Sequence, residues 1–481
     1  MKKSIFIAIS IFTLMGLVLF SGCSKNYLDL PVEGVVPSTY QKTVTADQAF
    51  QYVSACYAGF RKYGVSVFAY IGMFEIASDD ADKGSTESDN PAMAELDKFT
   101  CQPNNEHISS FWNDHYTVIS NCNYAINVLQ KMNFADTTAR NQLIAETKFI
   151  RAFLYLQLNL AYGGVPLTDT TKSADEFSKI PRSTAQQVYQ FIEKDLNYAI
   201  KYLPETYSYE QTGRATVGAA EALLARTCMY EEKWDQVKAL TDKIIASDVY
   251  SLYPDFYRMF RVEGENCSES IFELQLTSMD QGKYRCEYGF DQGPRNNFAK
   301  LQGWGFCTPS TKLINFFENR NDLVRKAATI LYRGSRTKEG DSIDAKCPNP
   351  AYNYKVYEQL KYNTVDYALD HNIRFIRYAE VLLMNAEAKL HVGGDAATPL
   401  NEVRARAKLD PIGSPTLQDV WDERRAEFAL EEFRFFDLVR TKQSVKELGA
   451  LGFKSGKNEV FPIPQTQIDL SNGVLIQNPG Y

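Results

Sequence analysis

The sequence predicts a mainly α-helical fold: tetratricopeptide-like helical hairpins forming a right-handed superhelical scaffold, with a loop-rich insertion that contains minor β structure. Three observations predict it. Ala379, Leu382, Leu383, Ala386 and Leu390 recur at helical spacing on one face, Gly393 and Gly394 end that helix, and Leu400, Val403 and Ala407 supply a return. The unit then proves to be repeated. Ala220, Glu221, Leu223 and Leu224 restate the Ala-Glu-x-Leu-Leu of 379–383, and Trp234, Val237, Leu240 and Ile244 form the returning stripe. Finally, helical periodicity fails between Tyr250 and Tyr367, where Ser270–Leu276 alternates like a strand and the rest is loop-rich.

In chain order, Met1-Lys2-Lys3 and the apolar run Ile5–Phe20 have the charged and hydrophobic regions of an export signal. Ser21 and Gly22 then precede Cys23, which looks like a bacterial lipobox, although Leu19 sits one place earlier than is usual and Phe20 takes its position. Residues 1–22 are therefore expected to be a lipoprotein signal peptide, with Cys23 lipidated. The competing reading, an uncleaved anchor, suffers from a run shorter than the ~20 apolar residues of a spanning helix. Residues 23–44 read as an extended, proline-bearing tether, and 45–481 as one domain.

Within that domain, helical hairpins are expected over 45–249 and 374–442. Thr45–Tyr63 carries the stripe Phe50, Val53, Tyr57 and Phe60; Ile108–Leu129 and Asn141–Tyr162 are two long helices, the second stopped by Gly163, Gly164 and Pro166; and Thr184–Leu203 is the partner helix. Between the first two lies Met73–Asn90, whose acidic, Gly/Ser/Asn-rich composition reads as loop. An irregular ligand-binding subdomain is expected over about 250–373, one further helix over Leu417–Lys442, and a turn-rich tail over 443–481.

Charge and composition narrow the function. The formal charge is −7, and loss of Lys2 and Lys3 with the leader lowers it to −9, which disfavours nucleic acid as a partner. His107, His115, His371 and His391 show no ligand-like spacing, and no phosphate-cradling glycine loop or Gly-x-Ser-x-Gly elbow occurs. No metal site, cofactor or catalytic residue is assigned; a carboxylate pair for glycoside hydrolysis is left open only because Asp and Glu are plentiful. The eight cysteines after Cys23 lack metal-ligand spacing and are expected to be mostly free.

Six stretches stand out in chain order: SGCSKNYLD at 21–29, GWGF-x-x-P at 303–309, RYAEVLLMNAEA at 377–388, ERRAEFALEEFRFFDLVR at 423–440, FPIP at 461–464 and QNPGY at 477–481. In these stretches and their order the chain resembles the SusD/RagB family of outer-membrane nutrient-binding lipoproteins of Bacteroidetes. Glu432 stands where the family commonly has glycine; read as a helical position, it is expected to cost nothing, since Glu is a better helix former by up to roughly 1 kcal/mol. The resemblance implies four hairpins, an outer-membrane lipid anchor facing the cell surface, and a SusC-like TonB-dependent transporter as partner. It further implies capture of an oligosaccharide or polysaccharide, or alternatively a peptide, for delivery without turnover.

The best binding candidate is Tyr284–Phe306, where aromatic residues interleave with glycines, Arg and Asn. A pyranose has an apolar face that lies on an aromatic ring and a hydroxyl rim that needs donors and acceptors. Trp304, Phe306, Tyr288, Arg295 and Asn297 are the expected ligand residues, the alternative for Trp304 being to pack the insertion onto the scaffold. Asp80, in the Asp79/Asp80/Asp82 cluster, is added as a hydroxyl acceptor; that cluster could otherwise be a solvated or capping loop or hold Ca²⁺. The charge-dense helix 422–440 is expected to pair its charges internally (Asp422 with Arg425, Arg434 with Asp437) and to dock loops.

Overall fold

The computed structural model describes residues 43–276, 286–297, 303–360 and 371–481. Cys23, the tether up to residue 42 and Tyr284 lie outside the described residues.

The scaffold is a continuous stack of helices. Helix α1 (Ala46–Ala58) starts at Thr45, whose side chain and that of Gln48 cap each other's backbone N–H. Short helices α2 (Tyr63–Ser66) and α3 (Phe68–Ile71) lead into a single π-turn, Gly72–Ile76, then strand β1 (Ala81–Gly84) and α4 (Pro91–Asp97). Helices α5 (Glu106–Lys131) and α6 (Thr137–Tyr162) form the long hairpin, and Gly163, at φ 69°, ends α6 in the left-handed conformation a glycine adopts without strain. After the short α7 (Ala174–Phe177), α8 (Ala185–Tyr202) packs on α6, α9 (Val217–Tyr230) on α8, and α10 (Trp234–Ala246) on α9.

The insertion follows. It comprises α11 (Phe256–Met259), β2 (Ser270–Leu274), α12 (Tyr288–Gln292), β3 (Phe306–Pro309), α13 (Thr311–Asn319), α14 (Leu323–Thr329), β4 (Ile330–Tyr332), β5 (Ala351–Asn353) and β6 (Ile373–Arg377). Three antiparallel pairs organise these strands: β1 with β3, β2 with β6, and β4 with β5. The chain then re-enters the scaffold as α15 (Tyr378–Val392) and α16 (Ala397–Arg406), followed by α17 (Leu417–Phe428), α18 (Arg434–Arg440), α19 (Ser444–Leu448) and α20 (Gln465–Leu470). Arg374–Arg377, read from sequence as the start of the hairpin, are strand.

The two Ala-Glu-x-Leu-Leu hairpins are direct neighbours, because α15 packs against α10. The repeated glutamates explain why they recur on an otherwise buried face. Glu380 accepts from the Arg226 guanidinium across the joint (2.7 Å from Nε), and Glu221 pairs with Lys243 of its own hairpin. The insertion thus leaves and returns at one seam, which β2–β6 closes by setting Phe272 opposite Ile376. There Phe272 and Phe375 meet Phe60 and Phe153, with ring centroids 5.1–6.3 Å apart.

Two readings need correction. The helix expected over Leu417–Lys442 is broken, since Leu430 and Glu432 both adopt φ 62° between α17 and α18. Glu432 is therefore not in a helix; it occupies a conformation that glycine enters freely and other residues adopt at a cost. Second, Met73–Asn90 is not a solvated acidic loop. Asp79 and Asp80 are buried, Asp80 accepting from Arg425 Nε at 2.8 Å and Asp79 from Arg434 Nε at 2.7 Å. Those arginines pair across the sequence rather than within their own segment, while Asp437 instead receives Arg424 and Arg440. All eight described cysteines are thiols, seven of them buried.

Candidate ligand platform around Trp304

The site is built where β1 and β3 meet. Their register sets Gly84 opposite Phe306, and just beyond the pair Gly305 accepts the Ser85 N–H at 2.6 Å. Backbone approaches this close require glycine. A Cβ on Gly84 would sit 2.4 Å from the Gly305 carbonyl oxygen, and one on Gly303 would sit 2.5 Å from the Gly293 backbone. The Gly303-Trp304-Gly305 run is thereby locked: Gly303 N–H donates to Pro294 O (2.9 Å), Trp304 N–H to Phe290 O (3.0 Å), and Asn349 Nδ2 to Gly305 O (3.3 Å).

Held in this way, Trp304 leaves 42% of its surface exposed. Phe290 meets its ring edge-on at 5.9 Å, and the Arg295 guanidinium lies 5.7 Å from it. Arg295 is oriented from the other side by Asp89 (3.0 Å) and by Ser85 Oγ (3.2 Å). Asp89 in turn accepts from the hydroxyls of Thr86 and Ser85, both at 2.7 Å, and these bonds hold its carboxyl below the usual range. The Nε–H of Arg295 meets no acceptor among the described residues. Tyr63 adds a second exposed ring, also 42% exposed, packed on Phe68 and His107. Partial burial, then the charges of Asp291, Glu106 and Glu287, raise its phenol pKa, so it stays a neutral donor.

The remaining expected ligand residues are buried. Phe306 is buried and takes Phe68 edge-on at 4.7 Å. Tyr288 is buried and donates to Glu432 at 2.7 Å. Asn297 is fully buried and bridges Ser342 O and Asp344 N–H; Asp80 is spent on Arg425. Of the six, the structure brings Trp304 and Arg295 together at the surface; Phe306, Tyr288, Asn297 and Asp80 are buried and engaged with other partners. Sequence reasoning passed over Tyr63, which it took as the last residue of an amphipathic helix. Gly64 directly after it was the available signal, because it marks a close approach: a Cβ there would sit 2.2 Å from Ser110 O.

A helical-hairpin scaffold that presents a rigid, glycine-locked aromatic platform on an inserted loop region defines a class of binding protein. Comparison with known proteins makes it specific: the chain belongs to the SusD/RagB family. The SusD family model matches residues 268–481, and a second model, described as starch-binding associating with outer membrane, matches 69–229. SusD-like protein P2 of Formosa agariphila is 26% identical over 507 aligned residues, covering 96% of this chain and 97% of its own. The starch-binding protein SusD of Bacteroides thetaiotaomicron is 23% identical over 435 residues, 76% of each chain. Among solved structures, a laminarin binding SusD-like protein superposes with a TM-score of 0.80 at 28% identity, covering 92% of this chain and 100% of its own. Surface glycan-binding protein A from Bacteroides uniformis gives 0.78 at 27%, covering 90% and 99%.

Proposed function

We propose that this protein binds a glycan at the Trp304 platform, without turning it over, and passes it to a SusC-like TonB-dependent transporter while tethered to the outer membrane through a lipid on Cys23. The observation that carries the binding reading is the exposed indole of Trp304, fixed by backbone bonds on both sides and flanked by Phe290 and the oriented Arg295. A sugar ring stacked on that indole would find a hydroxyl partner in Arg295, the combination of apolar face and polar rim contact a saccharide needs. Relatives named for laminarin, starch and surface glycan binding support the ligand class, and family membership supports the transporter and the anchor.

The test uses protein beginning at Ser24, screened against polysaccharide and peptide panels, with product analysis on each hit. Binding to a glycan with no fragments released is the expected result. Reducing ends accumulating at enzyme-like rates would overturn it, and binding to peptides alone would move the protein to peptide capture. Separately, Cys23→Ser should release the full-length protein from the outer-membrane fraction.

A further inference from the structure

A second cavity, sharing no residue with the Trp304 platform, lies where α5 faces the segment carrying α7 and the C-terminal α20. It is a cleft open to solvent with a volume of about 430 Å³, and three aromatic residues, Trp112, Tyr116 and Phe177, are among its lining. That volume is in the range of small-ligand sites. The aromatic wall is itself ordered: Tyr116 lies 5.0 Å from Trp112 and meets Phe177 edge-on at 4.8 Å, and its hydroxyl is tied to Pro166 O at 2.8 Å. Around it stand mainly uncharged polar side chains, among them Ser120, Asn121 and Thr170, with Lys172 the one charged group of the lining. These four side chains make no hydrogen bond to protein among the described residues. Trp112 is 1% exposed and backs this wall, leaving the half-buried Tyr116 and Phe177 as the rings a ligand can touch.

We propose that this cavity is a second saccharide-binding site, taking one or two units of a neutral glycan. An aromatic wall with a rim of amides and hydroxyls suits the apolar face and hydroxyl edge of a neutral sugar, whereas a uronate or sulfated unit would find only Lys172 to balance its charge. The proposal does not depend on Trp304. With two sites on one chain, a long polysaccharide engages both and is held more tightly than a short oligosaccharide.

The experiment is calorimetry on protein starting at Ser24, with laminarihexaose, maltohexaose, cellohexaose and xylohexaose as probes. It compares wild type, Trp304→Ala, Phe177→Ala and Ser120→Trp, the last filling the cavity, with each cavity substitution also added to Trp304→Ala. The expected result is binding that survives in Trp304→Ala at the reduced affinity of the cavity alone, and that weakens about tenfold or more further when either cavity substitution is added to Trp304→Ala, as loss of one stacking surface or of the space requires. Thermal unfolding of each variant checks that it is folded. Should Phe177→Ala unfold, Ser120→Trp decides alone. Binding abolished by Trp304→Ala and untouched by the cavity variants, or no hexasaccharide bound at the cavity, overturns the proposal. Binding sensitive only to the cavity variants would uphold it and remove the Trp304 platform as the glycan site.

Discussion

Trp304 lies two residues ahead of Phe306, the first residue of β3, yet it is 42% exposed and Phe306 6%. Both rings are equally suited to stacking on sugar, and the turn at Gly305 (φ 73°) together with the pairing of β3 with β1 sets one outward and the other inward. Asp80 makes the same point for polar groups. Its partner Arg425 is 345 residues away, so nothing local could show that the carboxylate is already engaged. Asp80→Ala should therefore lower unfolding free energy by about 3 kcal/mol, measured by urea denaturation, because it strands buried arginine charge, and it should leave glycan affinity nearly unchanged in whatever protein remains folded. Glu432 offers a pH test. Burial pushes its carboxyl up to about 8, and Tyr288 donates to it. A carboxyl whose pKa is raised by folding adds stability that is fully present below its ordinary value near 4.5 and is lost as pH rises through about 8. Wild type should unfold at a higher temperature at pH 6 than at pH 9 from this group, and Glu432→Gln should flatten that part of the profile. An unchanged slope in the variant would show that other groups set it.

At the scale of elements, helices were legible wherever an apolar stripe ran for several turns. Thr45, Thr184 and Gly163 even mark their ends through caps that the structure shows. What could not be read were the places where the backbone departs from local preference. The π-turn at 72–76 runs into a segment whose composition reads as loop, and the break at 430–432 lies in a string of good helix formers; the two meet in space, where the Glu432 N–H donates to Glu75 of that π-turn at 2.7 Å. Tertiary contacts override propensity at such points. The exposure of Trp304 on a glycine-bearing loop fits the sequence pattern of aromatic residues interleaved with glycines, and the close approaches at Gly303 and Gly305 give those glycines their reason. Gly305, at φ 73°, would place a Cβ 3.0 Å from Arg295 Cβ and 3.2 Å from Asn349 Nδ2. Gly305→Ala should cost about 1 kcal/mol in stability and, by displacing Arg295, weaken glycan binding more than that strain alone predicts; calorimetry beside thermal unfolding separates the two. Equal affinity in the variant would mean that Arg295 does not take part.

Across the whole molecule, the hairpins stack without interruption while the insertion is pinned to them by charge as well as by apolar packing. Arg377, at the end of β6, donates to Glu269, Glu427 and Glu431, all of them buried. Glu427 is shared with Arg406 and with Arg325 of the insertion, and burial opposing its charge is outweighed by the cations of Arg406, Arg377 and Arg325, which hold its carboxyl below the usual range. Such a network, fully paired, specifies one arrangement of α17 against the insertion; losing one member leaves unpaired charge. Rigid support of this kind is what lets a loop region act as a preformed platform, since little ordering cost then falls on binding. The most direct test is therefore the substitution Trp304→Ala in protein starting at Ser24, measured by calorimetry against the best glycan from the panel and by thermal unfolding. A fall in affinity of about tenfold or more with an unfolding temperature nearly that of wild type is the result predicted for an exposed ring that stacks on ligand. Unchanged affinity, or a large loss of stability, would contradict it and assign Trp304 to packing.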